Sequence, residues 1–337
     1  MAWPRSSASA CLYGRRFLFV SGKGGTGKTT MALALAVAMA RQGKRVLIAT
    51  GDGKERLSTL LGVSPLSTEI VEVTRRIFAV KLVPEASIRE YGAMTLKSRL
   101  VRDAVLNRPF VKRFLAGVPG LNEWAMLGKA CYHATELESD GSPRFDTVLL
   151  DAPATGHALD MLRVPEVIVD VASRGPLRRD AERALGMLRD SSQSGVVVVT
   201  VPEELPAIET VELVGTLEGE LRLPVAALVV NCVVEPCFSE RERTQLLRLD
   251  PFDPRSRADE IVACAVRRAA LERVQADALR RLARVDAPEI RLPWLPRKAA
   301  DWAAIEALAS SFEAAPEAER VPALRPRPSA RPSMPPP

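Results

Sequence analysis

Two histidines and five cysteines in 337 residues leave little from which to build a metal cluster or a disulfide framework. The cysteines, Cys11, Cys131, Cys232, Cys237 and Cys264, are odd in number and irregularly spaced, so reduced thiols are expected. Cys232 and Cys237 stand five apart rather than in the C-x-x-C spacing of a zinc pair. Aromatic residues make up 5 % against 47 % hydrophobic, a balance that suits a Val/Leu/Ala-rich sheet wrapped by helices and speaks against an all-β or disulfide scaffold. No apolar run reaches the ~18 residues that span a bilayer. Residues 1–14 carry no sustained apolar core that would insert, so a cytoplasmic protein is expected.

Charge of one sign is in modest excess. The net charge of +6 lies partly in a Pro/Ala/Arg-rich tail, residues 314–337, whose composition cannot pack a core. The arginines between 258 and 285 (Arg267, Arg268, Arg273, Arg280, Arg281, Arg284) fall at helical spacing among apolar positions and read as solvated helix faces. No nucleic-acid partner is expected.

What the chain does contain is Ser21-Gly22-Lys23-Gly24-Gly25-Thr26-Gly27-Lys28-Thr29-Thr30, which satisfies the phosphate-loop pattern G-x-x-x-x-G-K-[ST]. An apolar run, Phe17-Leu18-Phe19-Val20, precedes it, and an Ala/Leu-rich helix from Met31 to Arg41, stopped by Gly43, follows. The glycines let successive N–H groups turn inward around phosphate oxygens at the positive end of that helix. Lys28 supplies a point charge to the β- and γ-phosphates, and the Thr29 hydroxyl is placed to ligate Mg²⁺. The expected ligands are therefore ATP and Mg²⁺, with Gly22, Lys23, Gly24, Gly25, Thr26, Gly27, Lys28, Thr29 and Thr30 forming the cradle.

Further apolar runs alternate with helical stretches at residues 45–50, 77–82, 147–151, 195–200, 225–230 and 289–293. Continuous rather than alternating apolar runs require burial on both faces, so the fold class expected is α/β: a mostly parallel, doubly wound sheet flanked by helices, with small helical insertions. Nucleotide then sits at the carboxyl ends of the strands. Asp151 closes one strand and is placed to hold Mg²⁺ or its waters opposite Thr29. Asp52 follows another and could orient the attacking water. One phosphate-loop unit is expected over 15–313, with helical insertions at about 84–140 and 170–190, and with the leader 1–14 and the tail 314–337 disordered.

Lys23 adds a second lysine to the loop and resembles the deviant K-G-G-x-G-K-T motif of dimeric phosphate-loop ATPases. In that class the extra lysine reaches the nucleotide of the opposing subunit, which adds Lys23 to Lys28 and Asp52 as a catalytic candidate. The stretch Asp151-Ala152-Pro153-Ala154-Thr155-Gly156-His157, continuing through Leu159, Leu162 and Pro165, is similar to the switch II signature of the ArsA-type family, which includes arsenite-pump ATPases and the targeting ATPase for tail-anchored proteins. MinD and ParA proteins lack its T-G-H run. Asp52 with Leu57-Ser58 resembles switch I, Pro119-Gly120-Leu121-Asn122-Glu123 the family's P-G-x-x-E, and the segment ending in Glu209-Thr210 its E-T segment. Val229-Val230-Asn231 resembles the adenine-contacting V-N, and Leu292-Pro293-Trp294-Leu295-Pro296 the closing L-P-x-x-P loop.

The resemblance implies an ATP-hydrolysing switch gated by dimerisation, with itself or with a related ATPase, and acting on a protein client with or without a membrane. It also implies that Asn231, Pro293 and Leu295 contact the nucleotide. Two other readings stay open, a non-hydrolysing nucleotide-sensing adaptor and a MinD/ParA-like positioning ATPase. Departures are local. Gly53 stands where the family has proline, Glu55 where many members have histidine, and Asp160 where arginine is usual. About thirty residues separate Pro165 from Gly195, too few for an extended methionine-rich lobe that grips a transmembrane segment.

Overall fold

Backbone polar groups in a buried sheet must pair with one another, and eight strands do so in the computed structural model, which describes residues 10–51, 56–95, 120–153, 155–172, 174–249, 256–295 and 301–313. The strands are β1 (Phe17–Ser21), β2 (Val46–Gly51), β3 (Val71–Thr74), β4 (Ile77–Leu82), β5 (Thr147–Asp151), β6 (Ser194–Thr200), β7 (Val225–Val233) and β8 (Glu289–Pro293), in the order β3-β4-β2-β5-β1-β6-β7-β8. Every neighbouring pair is parallel except β3 with β4. This is the mostly parallel α/β phosphate-loop architecture.

Parallel strands need crossovers, and helices supply them on both faces. They are α1 (Ala10–Tyr13), α2 (Lys28–Arg41), α3 (Arg56–Leu61), α4 (Pro84–Thr95), α5 (Leu121–Thr135), α6 (Thr155–Val171), α7 (Pro176–Arg189), α8 (Glu204–Gly215), α9 (Glu240–Leu246), α10 (Arg257–Leu282) and α11 (Trp302–Ala309). The alternation of a strand is visible in β1: Phe17 and Phe19 enter the core beneath α5, α6 and α7, while Leu18 and Val20 enter the one beneath α2 and α11. Both cores are apolar, which is why β1 reads as an unbroken hydrophobic run.

Helix α2 lies between the sheet and α11, and every residue from Met31 to Ala40 is buried. A helix apolar on all sides is what such a position demands, and small alanines let sheet and helix approach closely. Its position is pinned at the far end by Arg41, which pairs with Glu306 at 3.3 Å and Glu313 at 3.0 Å.

One expectation needs correction, and one strand has no counterpart in the sequence reading. The leader 1–14 was expected to lie outside the fold, yet residues 10–13 form α1, Leu12 is fully buried, and the Tyr13 hydroxyl donates to the Phe312 carbonyl at 2.7 Å. Cys11 likewise donates its thiol to the Ala226 carbonyl at 3.2 Å. These contacts join positions about three hundred or two hundred residues apart, so no local pattern announces them. The antiparallel edge strand β3 was also not expected. It has four residues, the first two exposed, and returns into β4 through Arg76 at φ 65°. Residues 1–9 and 314–337 lie outside the described residues, as do Asp52 to Glu55 of switch I and Pro119.

Candidate nucleotide site

The loop between β1 and α2 is shaped by contacts that only glycine permits. A Cβ at Gly22, where φ is 145°, would stand 2.1 Å from the Val199 carbonyl oxygen on β6, and one at Gly27, where φ is 93°, would stand 2.5 Å from the Asn231 amide nitrogen. The loop is thereby pressed against the ends of two neighbouring strands. Gly27 is also the residue that opens α2, in the left-handed conformation and with no side-chain cap on the first helical turn. The free N–H groups of that turn, at the positive end of a fourteen-residue helix, form an anion site.

Within the loop, the Lys28 ammonium donates to the Gly22 carbonyl at 2.9 Å and the Lys23 carbonyl at 3.1 Å, so its charge is folded across the inside of the cradle. Burial depresses its pKa, the Asp151 carboxylate opposes that shift, and Arg56 at the start of α3 adds to it. The Thr26 hydroxyl donates back to the Lys23 carbonyl at 2.9 Å, closing the turn. Gly24 and Gly25 are exposed at its tip, and Thr30 is half-buried on the first turn of α2.

Thr29 and Asp151 meet across the join of β1 and β5. The Thr29 hydroxyl donates to Asp151 Oδ2 at 2.6 Å, while Asp151 Oδ1, also buried, has no partner among the described residues. Parallel register explains the approach: Val20 is paired with Asp151, and the loop leaves β1 one residue later. Burial pushes the Asp151 carboxyl above the usual carboxylate range, against the Thr29 hydrogen bond and the charges of Lys28 and Arg56. An orphaned buried carboxylate oxygen beside a hydroxyl is a hard oxygen donor pair that fits Mg²⁺.

Asn231, near the end of β7, donates its amide to the Thr26 carbonyl at 2.9 Å, so the V-N element is bonded directly to the phosphate loop. Pro293 ends β8 opposite Val233, the Trp294 N–H donates to the Val233 carbonyl at 2.8 Å, and Leu295 packs on the core under α2. These three residues, Asn231, Pro293 and Leu295, thus stand at adjacent strand ends on one side of the loop. The segment 231–238 is held from behind. Gln275 of α10 bonds both the N–H (2.9 Å) and the carbonyl (2.8 Å) of Val234, and Glu272 accepts from the Cys237 N–H at 2.7 Å.

Sequence reasoning missed two neighbours of the loop. One is Arg56, whose charge reaches both Lys28 and Asp151. The other is Glu209 on α8, whose Oε1 lies 2.5 Å from the Lys23 ammonium. Arg56 has no local signature, and the E-T resemblance that marks Glu209 does not give its partner, since each contact depends on where a distant helix docks. Gly120 likewise links two motifs: at φ 80° it opens α5, and a Cβ there would meet Val164 of α6 at 3.0 Å. His157 is exposed near the start of α6.

A phosphate loop at the carboxyl edge of a parallel sheet, followed by a threonine–aspartate pair, defines a nucleotide-binding ATPase fold. The comparisons specify the family. Residues 15–174 match the model of the anion-transporting ATPase family. ATPase BagA of Mycobacterium tuberculosis is 30 % identical over 236 residues, covering 68 % of this chain and 67 % of that protein. ATPase GET3 of Lachancea thermotolerans is 25 % identical over 64 % of this chain and 71 % of its own length, and ATPase ARSA2 of Chlamydomonas reinhardtii 27 % over 61 % and 53 %. The chain belongs to this ArsA-type family of ATPases. It binds nucleotide, and among the described residues no helix is long and apolar enough to cross a membrane.

Proposed function

We propose that the protein is a Mg²⁺-dependent ATPase switch that works as a nucleotide-gated dimer, either with a second copy of itself or with a related ATPase, and passes the state of its γ-phosphate to a protein client. The observation that carries this reading is the division of labour between the two loop lysines. Lys28 is turned into the cradle, whereas the Lys23 side chain leaves it and is about one-third exposed on the outer side. A lysine placed there is available to a phosphate that belongs to another subunit.

In this reading the loop N–H groups and Lys28 hold the β- and γ-phosphates, and Thr29 with Asp151 would hold Mg²⁺, which when bound neutralises phosphate charge. Asp52 orients the attacking water. Asp151 begins the run through Thr155, Gly156 and His157 into α6, so a change at the phosphate is passed to a helix that also touches α5 and α7. Asn231, Pro293 and Leu295 flank the base. The unit that does this spans 15–313, now with α1 packed on it.

Equilibrium nucleotide binding and single-turnover phosphate release test the reading. Lys28→Ala should weaken ATP binding by about 100-fold or more, since a charge facing two phosphates is lost. Lys23→Ala should bind ATP as the parent does and release phosphate far more slowly. Equal loss of binding in the two variants would remove the role of Lys23 in trans, and no phosphate release by the parent would leave a nucleotide-sensing adaptor.

A further inference from the structure

Lys23 does not wait for a partner unpaired. Its ammonium is 2.5 Å from Glu209 Oε1, both side chains are 37 % exposed, and the carboxylate belongs to α8, the helix that follows β6. Among the described residues the Lys23 ammonium makes no other hydrogen bond or ion pair, so the position of its charge is set by Glu209. Glu209 has no second basic partner there either. The pair is therefore exclusive, and it is at the surface rather than in the core.

We propose that Glu209 is a positioning residue that parks Lys23 in the unpaired subunit and yields it to the phosphates of the partner's nucleotide, and so sets how readily ATP brings two subunits together. This rests on the trans role proposed for Lys23. The exchange is electrostatically sound. A carboxylate with one negative charge competes with a triphosphate carrying several, so the lysine transfers once a partner's nucleotide is within reach. An exposed pair of this kind is weak, and releasing it changes an equilibrium by about two- to fivefold. Glu209 is thus a tuning element and not a lock.

The test is a four-way comparison of the full chain: parent, Glu209→Gln, Lys23→Ala and the double variant, each examined by sedimentation with Mg²⁺ and a non-hydrolysable ATP analogue. Glutamine keeps the shape of the side chain and removes its charge. Glu209→Gln should pair about two- to fivefold more tightly per released lysine, with the affinity of the single subunit for nucleotide unchanged and its melting temperature that of the parent. In the Lys23→Ala background the same change should do nothing. Weaker pairing by Glu209→Gln, or an equal gain with and without Lys23, would overturn the proposal. If Lys23→Ala pairs as well as the parent, the trans role itself fails and the parking role with it. If Lys23→Ala loses pairing while Glu209→Gln gains none, only the parking role fails.

Discussion

The Thr29 hydroxyl and Asp151 Oδ2 are joined at 2.6 Å, and the second oxygen of the same carboxylate is buried without a partner among the described residues. Leaving a buried acceptor unsatisfied costs about 1–3 kcal/mol, a penalty that persists where a site must later hold a ligand. The folded Asp151 carboxyl keeps its proton to higher pH than an unfolded aspartate would, because burial outweighs Thr29, Lys28 and Arg56. Folding therefore takes up a proton, and the stability contributed by this group falls as pH rises through the ordinary carboxylate range towards the raised folded value.

Asp151→Asn should accordingly melt higher than the parent at neutral pH in the presence of a chelator, with the advantage shrinking as pH falls from the raised folded value towards the ordinary carboxylate range and absent below it. The same variant should lose Mg²⁺-stimulated hydrolysis by about 100-fold or more, as expected when a metal-holding carboxylate is neutralised. Thermal melts and steady-state hydrolysis against Mg²⁺ concentration check both halves. A variant that melts lower at neutral pH would show that the carboxylate is stabilising.

Gly22→Ala should destabilise the fold by about 2–5 kcal/mol, combining a forced contact with a backbone conformation that alanine rarely adopts. The obstacle is the Val199 carbonyl oxygen, 2.1 Å from the added carbon, and strand backbone cannot swing aside as a side chain can. The contrast is Gly24→Ala, where nothing lies within 4 Å and φ is unremarkable. Chemical denaturation of the two variants should separate them clearly; similar stabilities would mean that the loop is not pressed on β6.

The sheet was largely legible in the amino-acid order. The runs at 77–82, 147–151 and 289–293 coincide with β4, β5 and β8. Strand β5 is buried on both faces and keeps its run unbroken, whereas the edge strand β8 alternates buried Ile290 and Leu292 with the exposed Arg291. The Thr29–Asp151 pair was legible too, since the motif fixes one member and a strand end the other. Glu209 was not. It lies 186 positions from Lys23, within a segment whose resemblance to the family draws attention to its sequence and not to its partner. Strand β3 was missed for a different reason: two of its four residues face solvent at the sheet edge, so the run carries little apolar signal.

Asp52→Asn should bind ATP normally and turn over about 100- to 1,000-fold more slowly, because the amide keeps the shape but loses the charge that orients water. Pre-steady-state phosphate release with tightly bound nucleotide is the measurement. An unchanged rate would assign the water to another group.

Arsenite and antimonite should leave the hydrolysis rate unchanged. Soft metalloids need several thiolates at one centre. Cys131 is buried on α5 with its thiol pushed up to about 12 by desolvation, Cys11 is bonded to the Ala226 carbonyl, Cys232 and Cys237 are exposed in the segment 231–238, and Cys264 is exposed on α10. Among the described residues no three of them, with or without histidine or acidic groups, form a metal-holding cluster. Steady-state hydrolysis under reducing conditions, with a variant carrying serine at all five positions as control, tests this. Stimulation that disappears in the control would point to a thiolate site formed between subunits.

The most direct test of action across two subunits is complementation between two inactive variants. Lys28→Ala leaves its own site unfilled at ATP concentrations that fill the parent but still offers Lys23, and Lys23→Ala holds ATP but offers no lysine to a partner. Mixed in equal amounts with Mg²⁺·ATP, they should recover up to about a quarter of the parental hydrolysis rate, since half of randomly formed dimers are mixed and each of those has one complete site. A mixture no more active than the sum of its parts, with both variants folded and the parent active, would contradict the account.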